Sequence, residues 1–224
     1  MVKEGKVFDC LRTSVVFNLS LSLAGRDRYM KLAALLFTLL FLPFHVNAFE
    51  ILALGTSNTN CKNAGQAYTN QLNSLLLENS INAKVINSGV DGDKPVWMLQ
   101  RLESLLAENK NIKLVIFEPG PNERYKPSNI GPTEKILQFL EKVQMPTIYV
   151  SHSLIQSESE AQIFSEKFNA TYYGHWNKGV PSDYEHRQFD MPGSAGHMTA
   201  KGCELWAKNI FPTIKMVLET KKIK

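Results

Sequence analysis

Two side chains that are far apart in the sequence have the residue types needed for nucleophilic catalysis. Ser57 lies two residues after the apolar run 49–55, where a strand end can direct a hydroxyl into a cleft. A serine hydroxyl is a weak nucleophile unless a base removes its proton. His197, in "GSAGHMTAKG", precedes a final predicted helix that Thr199 can cap. Together the two residues predict acyl transfer to serine with histidine as the base.

Acyl transfer also requires hydrogen-bond donors for a developing oxyanion. Three candidates follow successive apolar runs: the backbone N–H of Ser57, the backbone N–H of Gly92 in "SGVDGD", and the side-chain amide of Asn122 in "EPGPNE". A glycine lets a substrate approach its N–H without obstruction by a side chain. Glycine and asparagine are also ordinary turn residues. The prediction therefore depends on their order at the ends of successive elements.

The elements that must position these residues alternate between apolar runs and amphipathic stretches. Predicted strands cover 49–55, 83–89, 112–120 and 146–153, and predicted helices cover 64–81, 94–111, 132–144, 158–170 and 199–220. This βα alternation predicts an α/β fold with three layers, α/β/α, around a mostly parallel sheet. In such sheets, ligands bind beyond the carboxyl ends of the strands. All three candidate donors lie at those ends.

Four blocks of the sequence resemble those of the SGNH (GDSL-type) hydrolases. They are "GTS" at 55–57, "VINSGVDGD" at 85–93, "GPNE" at 120–123 and "GHMTAKG" at 196–202. The resemblance implies a flavodoxin-like fold and an esterase or lipase activity on carboxylic esters or thioesters. It also implies Ser57 as the nucleophile, His197 as the base, and Ser57, Gly92 and Asn122 as oxyanion donors. It implies neither a metal nor a cofactor. Thr56 replaces the family's aspartate, a change that we expect to affect only local loop bonding.

A second departure concerns the acid that orients the histidine. The family usually has an aspartate three residues before this histidine, and the chain has Ser194 at that position. We consider Asp190, seven residues upstream of His197, as the first substitute. The alternatives are Glu123, Asp91, or a Ser57–His197 dyad in which a backbone carbonyl holds the ring.

Two cysteines lie close in sequence to the candidate nucleophile and base. Cys61 follows Ser57 by four residues, and Cys203 follows His197 by six. A disulfide between them would join the nucleophile loop to the helix that carries the base. Two unpaired, buried cysteines are the alternative, and the sequence does not separate these interpretations.

Residues 1–48 have the order typical of a secretory signal peptide. The apolar run 32–44 follows Arg26, Arg28 and Lys31 and precedes Val46 and Ala48. We predict initiation at Met30 and cleavage after Ala48, so that residues 49–224 form one secreted or periplasmic domain. The alternative is an uncleaved anchor helix, although the run is shorter than the ~20 residues of a comfortable span. Residues 1–29 are then an over-extended start or a long basic leader.

Charge argues against a nucleic-acid partner. Six of the 25 basic and three of the 21 acidic residues lie in the leader, so the remaining chain has 19 basic and 18 acidic residues. This near-neutral balance lacks the basic surface of nucleic-acid-binding proteins. The expected partner is a small-molecule, lipid or glycan ester.

The aromatic segment 172–191 precedes the candidate base. We expect it to be a lid or a substrate-binding wall, with Tyr173 and Trp176 as contacts; a loop that packs its own aromatics is the alternative. Trp97 and Met98 are both expected in the core. A different class of function also fits the missing acid: a catalytically impaired domain that binds a glycan or a cell-envelope partner.

Overall fold

The computed structural model describes residues 48–123, 130–189 and 196–223. In these ranges, five strands alternate with six helices. The strands are β1 (Phe49–Gly55), β2 (Ala83–Gly89), β3 (Ile112–Glu118), β4 (Thr147–Ser151) and β5 (Thr171–His175). The helices are α1 (Ser57–Asn60), α2 (Ala67–Glu78), α3 (Pro95–Glu108), α4 (Gly131–Lys142), α5 (Glu158–Glu166) and α6 (Ala200–Thr220).

The five strands form one sheet in the order β2-β1-β3-β4-β5, and all the pairings are parallel. The predicted α/β class and parallel sheet are confirmed. Strand β5 was not predicted, because four of the five residues of "TYYGH" lie in the aromatic segment 172–191, for which a lid, a substrate-binding wall or a self-packing loop is expected. It is a short edge strand with a single neighbour, β4. An edge strand of five residues carries little hydrophobic signal.

Helices cover both faces of the sheet, as the three-layer architecture requires. On one face α2 and α6 bury a core in which the rings of Tyr68 and Trp206 stack with centroids 4.0 Å apart. On the other face α3, α4 and α5 bury a second core that includes Met98 and Leu102. Met98 is in the core as expected, but the expectation for Trp97 is wrong, since 53% of its surface is exposed. Helical periodicity turns Met98 and Leu102 inward together and Trp97 outward.

The strand register brings the predicted site residues to one edge. Gly55 of β1 pairs with Gly89 of β2 and with Glu118 of β3, so these three strands end at the same level. Ser57, Gly92 and Asn122 follow those ends by two to four residues.

The predicted signal peptide and most of its flanks lie outside the described residues, so the cleavage site stays a prediction. Among the helices of the described ranges, none combines the length and apolar character of a membrane span.

Candidate active site

The structure brings Ser57 and His197 into direct contact across 140 positions of sequence. The Nε2 atom of His197 lies 2.9 Å from the Oγ atom of Ser57, and both residues are more than nine-tenths buried. Ser57 begins helix α1, and the extended residue Thr56 caps that helix by accepting a hydrogen bond from the Asn58 N–H. This separation lets a hydroxyl pass its proton to an imidazole nitrogen, as general-base catalysis requires.

A buried carboxylate that the sequence analysis missed holds the turn around Ser57. Glu118 accepts hydrogen bonds from the N–H and hydroxyl of Thr56, at 3.0 and 2.8 Å, and from the Asn58 amide at 3.2 Å. The Thr59 hydroxyl donates a fourth bond at 3.1 Å. Burial raises the pKa of the Glu118 carboxyl, although the four hydrogen bonds act in the opposite direction. The available signal was a glutamate that closes the otherwise apolar strand "IKLVIFE".

Helix α1 packs so closely on the strand ends that glycine is required beneath it. A Cβ atom at Gly89 would lie 2.3 Å from the backbone nitrogen of Asn60. A Cβ atom at Gly120, where φ is +62°, would lie 2.3 Å from the Thr56 side chain. These contacts fix the position of the turn from below. Gly92 differs, because its φ of +74° favours glycine but no atom lies within 4 Å of a built Cβ.

The loops that carry Gly92 and Asn122 meet at this edge. The side-chain amide of Asn122 donates to the Asp93 carbonyl at 2.9 Å, which joins the loop after β3 to the loop after β2. Asp91 accepts a hydrogen bond from the Asn60 amide at 3.0 Å, which joins the same loop to α1. Each amide nitrogen carries two hydrogens, so Asn122 keeps a second one for another acceptor. The oxyanion roles of these residues remain predictions.

The segment that carries His197 is held by an antiparallel neighbour. Gln188 donates its N–H to the His197 carbonyl at 2.8 Å, and Thr199 donates its N–H to the His186 carbonyl at 3.0 Å. The Gln188 side-chain amide also donates to the carbonyls of Met198 and of Lys62, the latter at 2.7 Å. Thr199 caps α6 by accepting from the Gly202 N–H at 3.2 Å. Gln188 therefore ties the base segment to the loop after α1.

Cys61 and Cys203 are paired in the structure, with Cα atoms 6.3 Å apart. That separation lies in the usual range for a disulfide. Cys61 ends α1 and Cys203 lies in the first turn of α6, and both are buried. The sequence left open whether the two cysteines are paired, and in the structure a disulfide joins the nucleophile turn to the helix that carries the base.

The orienting acid is not resolved by the described residues. Asp190 and Ser194 both lie outside them, so the role of Asp190 stays a prediction. Of the alternatives, Asp91 is engaged with Asn60 at the exposed end of α1. Glu123 is partly buried, and among the described residues its Oε2 atom has no hydrogen-bond partner.

Tyr173 and Trp176 belong to the core instead of to the predicted substrate wall. They are 5% and 4% exposed and pack in the cluster that contains Trp206. The Trp176 ring stacks on His152, with centroids 5.8 Å apart, and the guanidinium carbon of Arg187 lies 4.8 Å from its centre. Tyr173 lies on β5, the edge strand of the sheet. The self-packing alternative therefore describes these two residues.

Three side chains near the base segment lie close enough to bind a cation, with one ligand atom each from Asp183, Glu185 and His186 within 4.8 Å of one another. All three already have partners. Asp183 contacts the His186 ring at 2.7 Å, and Lys201 forms an ion pair with Glu185. The hydrogen bond from His186 lowers the pKa of Asp183. The lysine supplies the positive charge at this cluster.

Several solved structures share this architecture. A crystal structure of TesA is 20% identical and has a TM-score of 0.64, covering 75% of this chain and 99% of that chain. The psychrotrophic esterase EstA from Pseudoalteromonas sp. is 17% identical, with a TM-score of 0.63 and coverage of 76% and 98%. AlinE4, an SGNH-hydrolase family esterase, is 22% identical, with a TM-score of 0.52 and coverage of 76% and 97%.

These similarities define the class of fold. The chain has the three-layer α/β/α fold of the SGNH hydrolases, which confirms the resemblance seen in the four sequence blocks at the level of architecture. No protein-family model matches the chain, and no curated protein sequence matches it either.

Proposed function

We propose that this protein is an exported serine esterase that cleaves carboxylic ester or thioester bonds through an acyl-enzyme on Ser57. The observation that carries the proposal is the 2.9 Å separation between Ser57 Oγ and His197 Nε2 at the carboxyl edge of the sheet. Two of the similar structures are named as esterases, EstA and AlinE4, which supports the same class of reaction. Ligands of parallel α/β sheets bind at this edge.

In the proposed reaction, His197 Nε2 accepts the proton of Ser57 as its Oγ attacks the acyl carbon. The tetrahedral oxyanion is stabilised by the backbone N–H groups of Ser57 and Gly92 and by the Asn122 amide. The imidazolium then protonates the departing alcohol or thiol, which leaves an acyl-enzyme. His197 next deprotonates a water that attacks this ester, and the acid is released as Ser57 recovers its proton.

We assign the orientation of the His197 ring to Asp190, which lies in the segment just before it. An aspartate in this role selects the histidine tautomer and stabilises the imidazolium. Asp190→Asn keeps the size of the side chain and removes its charge, so we expect a loss of kcat. Full turnover by this variant would remove Asp190 from the mechanism and leave the dyad or another acid.

Export is proposed from the leader sequence. Intact-mass measurement of the protein after expression with its full leader should give a chain that begins at Phe49. A mass that retains residues 30–48 would instead indicate the anchor helix. An exported enzyme of this class could act on lipid-derived esters, acetylated sugars, or peptide and thioester substrates.

Short p-nitrophenyl esters test the activity most directly. We expect the wild-type protein to hydrolyse them and to react with a fluorophosphonate probe at Ser57. Ser57→Ala should lower kcat by about three orders of magnitude or more, because removing the nucleophile removes the covalent pathway. Ser104→Ala is the matched control, since Ser104 is an exposed helix residue whose hydroxyl donates to the Gln100 carbonyl of its own helix.

The second candidate is a domain that binds a glycan or a cell-envelope partner without turnover. It is favoured by the serine at position 194, where the family has its orienting aspartate. Purified wild-type protein with neither ester hydrolysis nor fluorophosphonate labelling would support this candidate and reject the esterase.

A further inference from the structure

Glu118 is a buried carboxylate for which the proposed reaction has no use. It is the last residue of β3, pairs in register with Gly55, and is only 1% exposed. Its Oε2 atom accepts three hydrogen bonds, from Thr56 N, Thr56 Oγ1 and Thr59 Oγ1. Its Oε1 atom accepts one from the Asn58 amide. The carboxylate therefore binds residues on both sides of Ser57.

The direction of these hydrogen bonds is determined by the groups involved. Backbone N–H and amide nitrogen atoms can only donate. The Thr56 hydroxyl accepts from the Asn58 N–H at 3.3 Å, so its own proton points toward Glu118. An isolated buried charge is costly, and four converging donors offset that cost. This arrangement joins the end of β3 to three of the four residues at 56–59.

Such an arrangement controls where Ser57 points. The position of Thr56 sets the direction in which the chain enters α1, and Asn58 and Thr59 set the direction in which it continues. The backbone N–H of Ser57, a candidate oxyanion donor, lies between the two. Close packing of Gly120 against Thr56 restricts the same turn.

We propose that Glu118 is the positioning residue of the nucleophile, and that its carboxylate holds residues 56–59 so that the Ser57 hydroxyl and N–H keep their reactive directions. This inference rests on the proposed function. Glu118 acts through the turn and does not contact the substrate. A displacement of about 1 Å at a reacting group can lower a rate by about 100-fold.

Two substitutions separate hydrogen bonding from charge. Glu118→Gln retains one oxygen that can accept from Thr56 and Thr59, and its amide can donate to Asn58 after the Asn58 amide rotates by half a turn. Glu118→Leu has a similar volume and no acceptor. We expect Glu118→Leu to lower kcat by about 100-fold with KM changed by less than about threefold, and Glu118→Gln to recover kcat to within about fivefold of wild type.

Glu50→Leu is the matched control. Glu50 lies at the amino end of β1, the end away from the site, and hydrogen-bonds Asn109, so its loss leaves the turn untouched. Equal kcat values for folded Glu118→Leu and Glu50→Leu would overturn the proposal. If Glu118→Leu fails to fold, Thr59→Val removes a single donor and should lower kcat by about three- to tenfold. An unchanged kcat in that variant would also overturn it.

Amide hydrogen exchange separates this inference from the proposed function. The Thr56 N–H donates to Glu118, so its exchange should be slow in the wild type and at least tenfold faster in Glu118→Leu. If the wild-type protein shows neither turnover nor probe labelling, the esterase proposal is rejected, but hydrogen exchange still tests the role of Glu118. Unchanged Thr56 protection in the leucine variant would reject the role of Glu118, whatever the activity.

Discussion

The two members of the proposed catalytic pair are held in different ways. Ser57 lies in a turn that is fixed from within the sheet, by hydrogen bonds to the end of β3 and by glycine contacts beneath α1. His197 lies between the segment 186–188 and α6, and links of long sequence separation hold it there. These links are the Gln188 side chain, bonded to Lys62 across 126 positions, and the Cys61–Cys203 bridge across 142.

This difference indicates where the site is most easily disturbed. Contacts on the nucleophile side also form the sheet edge, so a change there affects folding and geometry together. On the base side, the residues that the structure describes form one isolated bridge, between Arg187 and Met198, before the start of α6. Side-chain and covalent links must therefore do more to align the imidazole.

Removing the covalent link should produce the largest effect on stability. We expect Cys61→Ala/Cys203→Ala to lower the free energy of unfolding by about 2–5 kcal/mol, because the bridge closes a long loop in the unfolded chain. Urea unfolding of the oxidised wild type and the double variant measures this difference. The reduced wild type is the control and should unfold like the variant.

Thiol titration checks the premise of that experiment. The unfolded, unreduced protein that begins at Phe49 should show no free thiol. Two free thiols would mean that the cysteines are unpaired and that the base side is aligned by hydrogen bonds alone.

A methyl group beneath α1 should test the nucleophile side with the next largest effect. Gly89→Ala places a Cβ atom against the backbone of Asn60, which has no flexible end that can move away. We expect a loss of about 1–3 kcal/mol in unfolding free energy, the usual cost of overpacking. Gly131→Ala is the control, because nothing lies within 4 Å of its built Cβ. Equal stabilities for the two variants would show that the turn can move without cost.

The sequence predicted the strands that carry the site because each is a buried apolar run followed by a turn. Ser57, Gly92 and Asn122 were placed at one edge by the rule that parallel strands end together, and the register places them there. His197 was singled out by its setting before the final helix and then by the family resemblance, since no local pattern brings position 197 to position 57. Their proximity is a property of the whole sheet and of α6.

Other features depend on packing that no local pattern records. Trp97 and Met98 are adjacent in sequence and point about 100° apart on α3, and packing alone decides that Met98 faces the core. Tyr173 and Trp176 are buried because the edge strand β5 completes the sheet, and a strand of five residues has only a weak sequence signal. The sequence places Glu118 near the end of a strand, but it does not indicate that four hydrogen-bond donors converge on its carboxylate.

The smallest expected effect concerns the charge of Glu118 and its dependence on pH. Burial raises its pKa above the ordinary value of 4.5. At pH values between the unfolded and the folded pKa, the folded protein therefore binds more protons than the unfolded chain. The stabilising contribution is fully present below the unfolded pKa and is lost as pH rises through the folded pKa. The free energy of unfolding of the wild type should therefore fall with rising pH, relative to Glu118→Gln, which has no proton to release.

Urea unfolding of both proteins across this interval measures the difference in slope. Tyr68 and Tyr149 are the buried titratable neighbours that interact with this carboxylate, and burial raises the pKa of each further above 10, so neither contributes in the same range. Parallel curves for the wild type and Glu118→Gln would mean that the donors from the turn cancel the cost of burial. Burial of the Glu118 charge would then carry no net free-energy cost. The two sides of the site would differ only in whether the links that hold them are local or far apart in sequence.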